Sequence, residues 1–246
     1  MTQTGQQTGH QKEQTIAPTP KASEFDRGAL IDLLIILTTL IVVKQSVLLF
    51  SEVGGGPAST LTAMIVGTFL LRRRGMGWAD LGMTKPDSWL KTVLWAAIVF
   101  FLILLTAGVT SAGADLFFDK QPRTNRFGDI EGDVAAFAMY LVLIWTHTAF
   151  FEELLFRAFI INRLEAFLGD MKWATPVAVV LAAAFFGYRH YYYQGMHGAI
   201  VTGCIGLTLG IYYVRRGHRN LWPMFLAHGS MNTLGFTMRF LGIEPD

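Results

Sequence analysis

The sequence predicts an all-α protein, a polytopic transmembrane helix bundle of about seven to eight spans with a polar cavity inside it. Of its 246 residues, 52% are hydrophobic and only 15% are charged, and the mean hydropathy is +0.40. A soluble domain usually carries about a quarter charged residues. The second observation is that long apolar runs alternate with short basic or acidic segments, as expected of successive membrane spans.

Charge and cysteine usage argue against other classes of protein. The net charge of +2 is small, and no basic stripe with interleaved aromatic residues occurs, which argues against a nucleic-acid partner. The single cysteine, Cys204, excludes an intrachain disulfide and a multi-cysteine metal site.

Composition divides the chain into three parts. Residues 1–27 are rich in Gln, Thr, Pro and Lys and are expected to form a disordered cytoplasmic tail. They lack the pattern of a cleaved signal peptide, so the first apolar run is expected to stay in the protein. Residues 28–133 are predicted to form N-terminal transmembrane helices with connecting loops, and residues 134–246 a second helix bundle.

The apolar runs give the order of the predicted spans. A triple glycine followed by a proline at 54–57 separates the first two spans, because these residues interrupt helices. The run 134–167 is too long for one simple span and is expected to join an apolar half to a polar continuation. The other predicted spans cover 29–50, 58–71, 89–110, 173–190, 197–214 and 221–243. In the span 197–214, Gly206 and Gly210 have the spacing that favours close helix packing.

The charged segments predict the orientation. Basic clusters at 72–74, 163–172 and 215–219 fall on one side of the predicted spans, and the acidic segment 111–133 and the C-terminal tail fall on the other. Lys and Arg are retained in the cytoplasm. We therefore expect an integral protein of the cell membrane with a cytoplasmic N-terminus. An eighth span would arise if the run 134–167 is broken or re-entrant.

The most unusual stretch places Glu152, Glu153 and Arg157 inside an apolar run. A charge near the bilayer centre costs at least ~2.5–3.5 kcal/mol, so three charges together require a reason. Glu153 and Arg157 are four apart and can pair on one helix face. Glu152 is rotated by about 100° from Glu153 and lacks that partner, which suits a desolvated carboxylate to general-base work. A purely structural ion network remains the alternative.

Two further pairs are spaced to share helix faces, Phe186 with His190 and His228 with Asn232. A turn at 169–172 between antiparallel helices would place Glu152 and His190 at matching height. His228 and Asn232 come from the last span, where the residue count lets Asn232 reach that depth more readily than His228.

A cluster of Glu, two His and Asn fits two kinds of hydrolysis. Without metal, Glu152 and His190 would hold and deprotonate a water, while His228 and Asn232 would donate hydrogen bonds to the oxyanion. Alternatively, the same residues would bind zinc, which would acidify the water. Neither His-Glu-x-x-His nor G-x-S-x-G occurs in the chain.

The motifs Glu-Glu-x-x-x-Arg, Phe-x-x-x-His and His-x-x-x-Asn, in this order, resemble those of the CAAX protease and bacteriocin-processing (CPBP, or Abi) family, which includes the type II CAAX prenyl endopeptidase. The motifs extend from Glu152 to Asn232, within about the last 100 residues of the chain. The resemblance implies an intramembrane endopeptidase. The family has been described as metalloproteases, but a glutamate-dependent mechanism without metal fits its structural picture better, so we expect no cofactor, with zinc as the alternative. The resemblance further implies the following roles: Glu152 as base, His190 as the residue that positions water, His228 and Asn232 as the oxyanion site, and Glu153 and Arg157 as supporting residues.

Two residues near the motifs carry open questions. Arg189 stands directly before the motif histidine, where the family resemblance leads us to expect a small or apolar residue. His147, five residues before Glu152, is either a supporting residue of the site or part of the core.

The predicted function is therefore cleavage of a membrane-embedded or membrane-surface peptide or protein within the lipid bilayer. The alternatives are a zinc-dependent version of the same protease, a non-catalytic immunity or scaffold protein, and a proton-coupled transporter. The chain shows no internal symmetry of the kind typical of transporters. Prenylated CAAX tails, peptide bacteriocins and signal-like segments all remain open as substrates.

Overall fold

The computed structural model describes residues 26–120 and 130–243. Residues 1–25, 121–129 and 244–246 lie outside this described part, and so does the predicted disorder of the N-terminal tail. Within the described part the chain is helical and contains no strand. The α-helices are α1 (Arg27–Leu48), α2 (Gly55–Arg73), α3 (Trp89–Ala114), α4 (Val134–Leu143), α5 (Asn162–Leu168), α6 (Ala174–Arg215) and α7 (Trp222–Phe240). A 3₁₀ turn covers Trp78–Leu81, and two π-helical segments, Ile144–Phe151 and Leu154–Ile161, connect α4 to α5.

Polar side chains set the starts of three helices. Asp26, Ser88 and Asp133 precede α1, α3 and α4, and each side chain accepts a hydrogen bond from backbone N–H groups of the first turn. Such caps satisfy amide groups that have no partner inside the helix. The helices therefore begin where the sequence changes from polar to apolar.

Four helical stretches are long and apolar enough to cross a membrane: Arg27–Leu48, Trp89–Ala114, Val134–Leu168 and Ala174–Arg215. Their outward faces carry exposed apolar side chains, among them Ile31, Phe101 and Leu105. Such contiguous apolar surface suits contact with lipid rather than water. The protein is thus an integral membrane protein, and a total of seven to eight spans stays a prediction.

Helix α6 is a helical hairpin. Gly195 interrupts it with φ 63° and ψ −166°, a conformation that is accessible to glycine and strained for other residues. The arms 174–194 and 196–215 then pack against each other, since a Cβ on Gly187 would lie 2.4 Å from the carbonyl oxygen of Ala199. Gly206 and Gly210 face Phe186 and Val179 of the other arm, the close packing that their spacing predicts.

The predicted basic clusters meet at one end of the bundle, called here the basic end. His218 Nε2 lies 2.8 Å from Glu165 Oε2, and Leu221 N donates to Gly82 O at 3.3 Å. These contacts join α5 and the segment that follows α2 to the segment that follows the second arm of α6.

The opposite end, called here the acidic end, joins the start of α4, the end of α7 and the tip of the α6 hairpin. Gly132 N donates to Phe240 O at 3.0 Å, and His197 Nε2 lies 2.9 Å from Asp115 Oδ1. The two ends therefore differ in charge as the sequence predicts.

The centre of the bundle is the second π-helical segment, in which every side chain from Leu154 to Ile161 is buried. It packs against α2, α5 and α6 in the hydrophobic core. Glu152 and Glu153 directly precede this segment, so the core fixes their depth in the bundle.

Candidate active site

A π-helical turn places His147 next to Glu152. The backbone N–H of Glu152 bonds to the carbonyl of His147, a five-residue step that widens the helix. In an α-helix, residues five apart point about 140° away from each other, given 3.6 residues per turn. The wider turn instead brings the two side chains together, with His147 Nε2 3.8 Å from Glu152 Oε1.

The candidate residues line one cavity of about 430 Å³. Its walls come from α4, the first π-helical segment, both arms of α6, α7, the end of α1 and the start of α2. The polar residues around it include Glu152, His190, His228 and Asn232 together with His147 and Arg189. All four residues that the sequence nominates for chemistry thus face the same space.

Glu152 is the carboxylate of this cavity. Its exposed fraction is 4%, and its Oε2 atom has no hydrogen-bond partner among the described residues. Buried carboxylate oxygens require hydrogen-bond donors, since burial without them costs free energy. A water or a substrate N–H group in the cavity would satisfy Oε2.

The ring of His190 is held by its own helix. Nδ1 lies 2.8 Å from the carbonyl oxygen of Phe186, which can only accept, so Nδ1 carries a proton. In the neutral ring, Nε2 is then a hydrogen-bond acceptor. The ring lines the same cavity as the Glu152 carboxylate.

Glu153 joins two partners rather than the single one predicted. Arg157 Nη1 lies 3.1 Å from Glu153 Oε1, the pair that the four-residue spacing predicts. His228 Nδ1 lies 2.8 Å from the same oxygen. Since a carboxylate only accepts, His228 carries a proton on Nδ1. The last span therefore brings His228, and not only Asn232, to the depth of the glutamates.

Arg157 is packed as well as paired. Its guanidinium carbon lies 4.6 Å from the centroid of the Phe186 ring, a cation–π distance. Neither terminal nitrogen of Arg157 makes a hydrogen bond within the described part of the chain. The contact with Glu153 is therefore an ion pair and not a hydrogen bond. The motif phenylalanine thus contacts the motif arginine.

Arg189 fastens the first arm of α6 to the N-terminal helices. Its guanidinium donates to Leu40 O at 3.2 Å, Ser59 Oγ at 3.1 Å and Thr60 Oγ1 at 3.3 Å. Lys44 Nζ in turn donates to the carbonyl oxygen of Arg189. The departure from the family pattern therefore has a structural role, because it fixes the chain directly beside His190.

Thr60 links Arg189 to His147, which lies next to Glu152. The Thr60 hydroxyl oxygen lies 3.1 Å from His147 Nε2, the nitrogen that approaches Glu152. Sequence reasoning missed Thr60, and a threonine in an apolar helix gives no signal of such a contact. His147, an open question from sequence, lies in the cavity wall.

No group of three or more His, Cys, Asp or Glu side chains is arranged to hold a metal ion within residues 26–120 and 130–243. The glutamates and histidines instead contact one another in pairs, Glu152 with His147 and Glu153 with His228. Both the zinc alternative and the prediction that no cofactor is needed stay predictions.

Comparison with known proteins gives one family. Residues 134–234 match the model described as type II CAAX prenyl endopeptidase Rce1-like. The match begins at the first residue of α4 and ends within α7, and it includes all six residues that the sequence motifs nominate. No curated protein and no solved structure matches the chain.

Proposed function

Because residues 134–234 belong to the CAAX protease family, we propose that the protein is an intramembrane endopeptidase that hydrolyses a peptide bond with a metal-free, glutamate-activated water. The observation that carries the proposal is the buried Glu152 carboxylate, whose Oε2 faces a polar cavity without a protein hydrogen-bond partner in the described residues.

Glu152 and His190 suit the binding of one water. A water has two hydrogens, and the carboxylate and His190 Nε2 are both acceptors when the ring carries its proton on Nδ1. With both hydrogens so held, a lone pair of the water oxygen is directed away from them towards a substrate carbonyl. Glu152 then takes one proton as the water attacks, and transfers it to the leaving amine when the C–N bond breaks.

His228 and Asn232 suit the stabilisation of the oxyanion. Both line the cavity, and Asn232 offers an amide N–H group. For His228 to donate through Nε2 as well, its ring must carry a proton on each nitrogen. Glu153, 2.8 Å from Nδ1, supplies the negative charge that balances this form. Glu153 and Arg157 thus act by positioning His228.

The substrate is proposed to be a membrane-embedded or membrane-surface segment of a peptide or protein, reached within the lipid bilayer. The basic clusters support a bundle of seven to eight spans in the cell membrane with the N-terminus in the cytoplasm. Enclosure of the site by helices limits its access to water and strengthens the interactions of its charges.

The test compares wild-type protein with Glu152→Gln in lipid vesicles. Three fluorogenic substrates are offered: a farnesylated peptide ending in a CAAX sequence, the same peptide without the lipid, and an apolar signal-like peptide. We expect cleavage of at least one by the wild type and a loss of at least 100-fold in Glu152→Gln, the scale of general-base catalysis (~10²–10⁴-fold). A wild-type protein that cleaves none of them, or a variant that cleaves as fast, contradicts the proposal.

Metal dependence is tested in the same assay. Cleavage by wild-type protein is expected to continue after incubation with a zinc chelator, because Glu152 and His190 activate the water themselves. Loss of activity with the chelator and its recovery with added zinc would favour the zinc-dependent alternative. Unchanged biological effect in Glu152→Gln and His228→Ala would favour a non-catalytic scaffold.

A further inference from the structure

The cavity extends from the middle of the bundle towards the acidic end. Its innermost lining residues, Glu152 and His228, lie midway along their helices. Its outermost ones are Val53 in the turn that leads into α2, Gly56 in the first turn of α2, and Gln194 at the tip of the α6 hairpin. All of these outer residues lie at helix ends that meet at the acidic end.

The basic end does not contribute to the cavity. None of its described lining residues comes from the second half of α2, from α5, or from residues 206–221. The second π-helical segment and the side chains packed on it, including Phe159 and Leu209, fill the bundle between the site and the basic end. A substrate therefore has one direction of approach along the bundle axis.

The charges of the connecting segments indicate on which side of the membrane the cavity opens. Arg72–Arg74, Lys85, Lys91 and Arg215–Arg219 flank or connect helices at the basic end. At the acidic end, the α1–α2 connection and the α6 tip carry no Lys or Arg, and the α3–α4 connection, residues 115–133, carries three against five carboxylates. An excess of Lys and Arg in short connections marks the cytoplasmic side.

We infer that the catalytic cavity opens on the non-cytoplasmic face of the membrane and takes peptide segments presented from that face. The substrate named in this inference rests on the proposed function, whereas the direction in which the cavity opens does not. The inference favours segments of exported peptides and proteins over segments presented from the cytoplasm, which would have to pass the closed basic end.

The first experiment determines the orientation without using activity. Cys204 is replaced by Ser, and one new cysteine is introduced in each of two full-length variants, Glu52→Cys and Asp87→Cys. The two positions are a matched pair, since both are exposed carboxylates, one beside the cavity mouth and the other at the basic end. Intact cells are treated with a membrane-impermeant maleimide before and after permeabilisation.

We expect Glu52→Cys to react in intact cells and Asp87→Cys to react only after permeabilisation. The opposite pattern would overturn the inference, because the cavity would then open to the cytoplasm. Reaction of both positions in intact cells would contradict it as well, since the two ends would not lie on opposite sides.

The second experiment uses the signal-like peptide, with charged ends that prevent it from crossing the bilayer. It is added outside sealed right-side-out and inside-out membrane vesicles that contain wild-type protein or Glu152→Gln. Cleavage dependent on Glu152 is expected in right-side-out vesicles, and cleavage confined to inside-out vesicles would overturn the inference. Equal activity of Glu152→Gln would refute the proposed function, while the labelling result on cavity direction would stand.

Discussion

The N-terminal helices and the family-matched region contribute different kinds of residue to the site. The matched region supplies the groups suited to chemistry, Glu152, His190, His228 and Asn232. Helices α1 and α2 supply none of these, but their buried polar groups turn towards the matched region and bind Arg189 and His147. The motifs therefore do not define the complete site, because residues outside the match contact Arg189 and His147 in its wall.

The largest effect is expected inside the matched region, from Arg157→Met. This change leaves Glu153 buried with only His228 as a partner, and breaking a buried ion pair costs about 3–5 kcal/mol. We expect the midpoint of thermal unfolding in lipid nanodiscs to fall markedly and cleavage to be lost.

A double variant, Glu153→Gln with Arg157→Met, separates folding from catalysis. It leaves no unpaired charge, so the unfolding midpoint should return towards the wild-type value. Activity should stay low because a glutamine gives His228 no negative charge. If the double variant recovers full activity, Glu153 does not position His228 through its charge.

A smaller effect is expected at the boundary between the two regions, from Arg189→Met. The variant removes three hydrogen bonds from a charged donor to α1 and α2, of which each contributes about 1.5–3 kcal/mol at most. We expect lower stability together with a lower kcat, since the residue next to His190 is no longer held. Arg73→Met, an exposed arginine at the basic end, is the control and should change neither quantity.

The smallest effect is expected within the N-terminal region, from Thr60→Val. This near-isosteric change removes the hydroxyl that contacts His147, and loss of one such bond corresponds to about 0.5–1.5 kcal/mol, or up to about ten-fold in kcat. KM and the unfolding midpoint should change little, and Thr60→Ser should restore the rate.

Ser59→Ala is the matched control for Thr60→Val. Ser59 also accepts from Arg189, but its own hydroxyl donates to Gly56 O and does not contact His147. Equal rates in Thr60→Val and Ser59→Ala would show that the contact with His147 does not influence the reaction. In that case the N-terminal helices would only support the fold.

Composition and apolar periodicity were sufficient to predict an all-helical membrane protein and the bounds of its helices to within a few residues, while the number of membrane spans stays a prediction. The pairing of Glu153 with Arg157 also followed, because a four-residue spacing is local and needs no knowledge of the fold. The break near residue 195 was expected between two spans, and Gly195 provides it with a positive φ.

Tertiary structure decided how the glutamates are surrounded. The same stretch that stands out in the sequence, Glu152 and Glu153, lies between two π-helical segments, so an α-helical count places His147 on the wrong face. The contacts of Glu153 with His228, and of His147 with Thr60, join residues 75 and 87 positions apart in the chain. No local pattern encodes such pairs, because they depend on how the helices pack and on where a helix widens by one residue per turn.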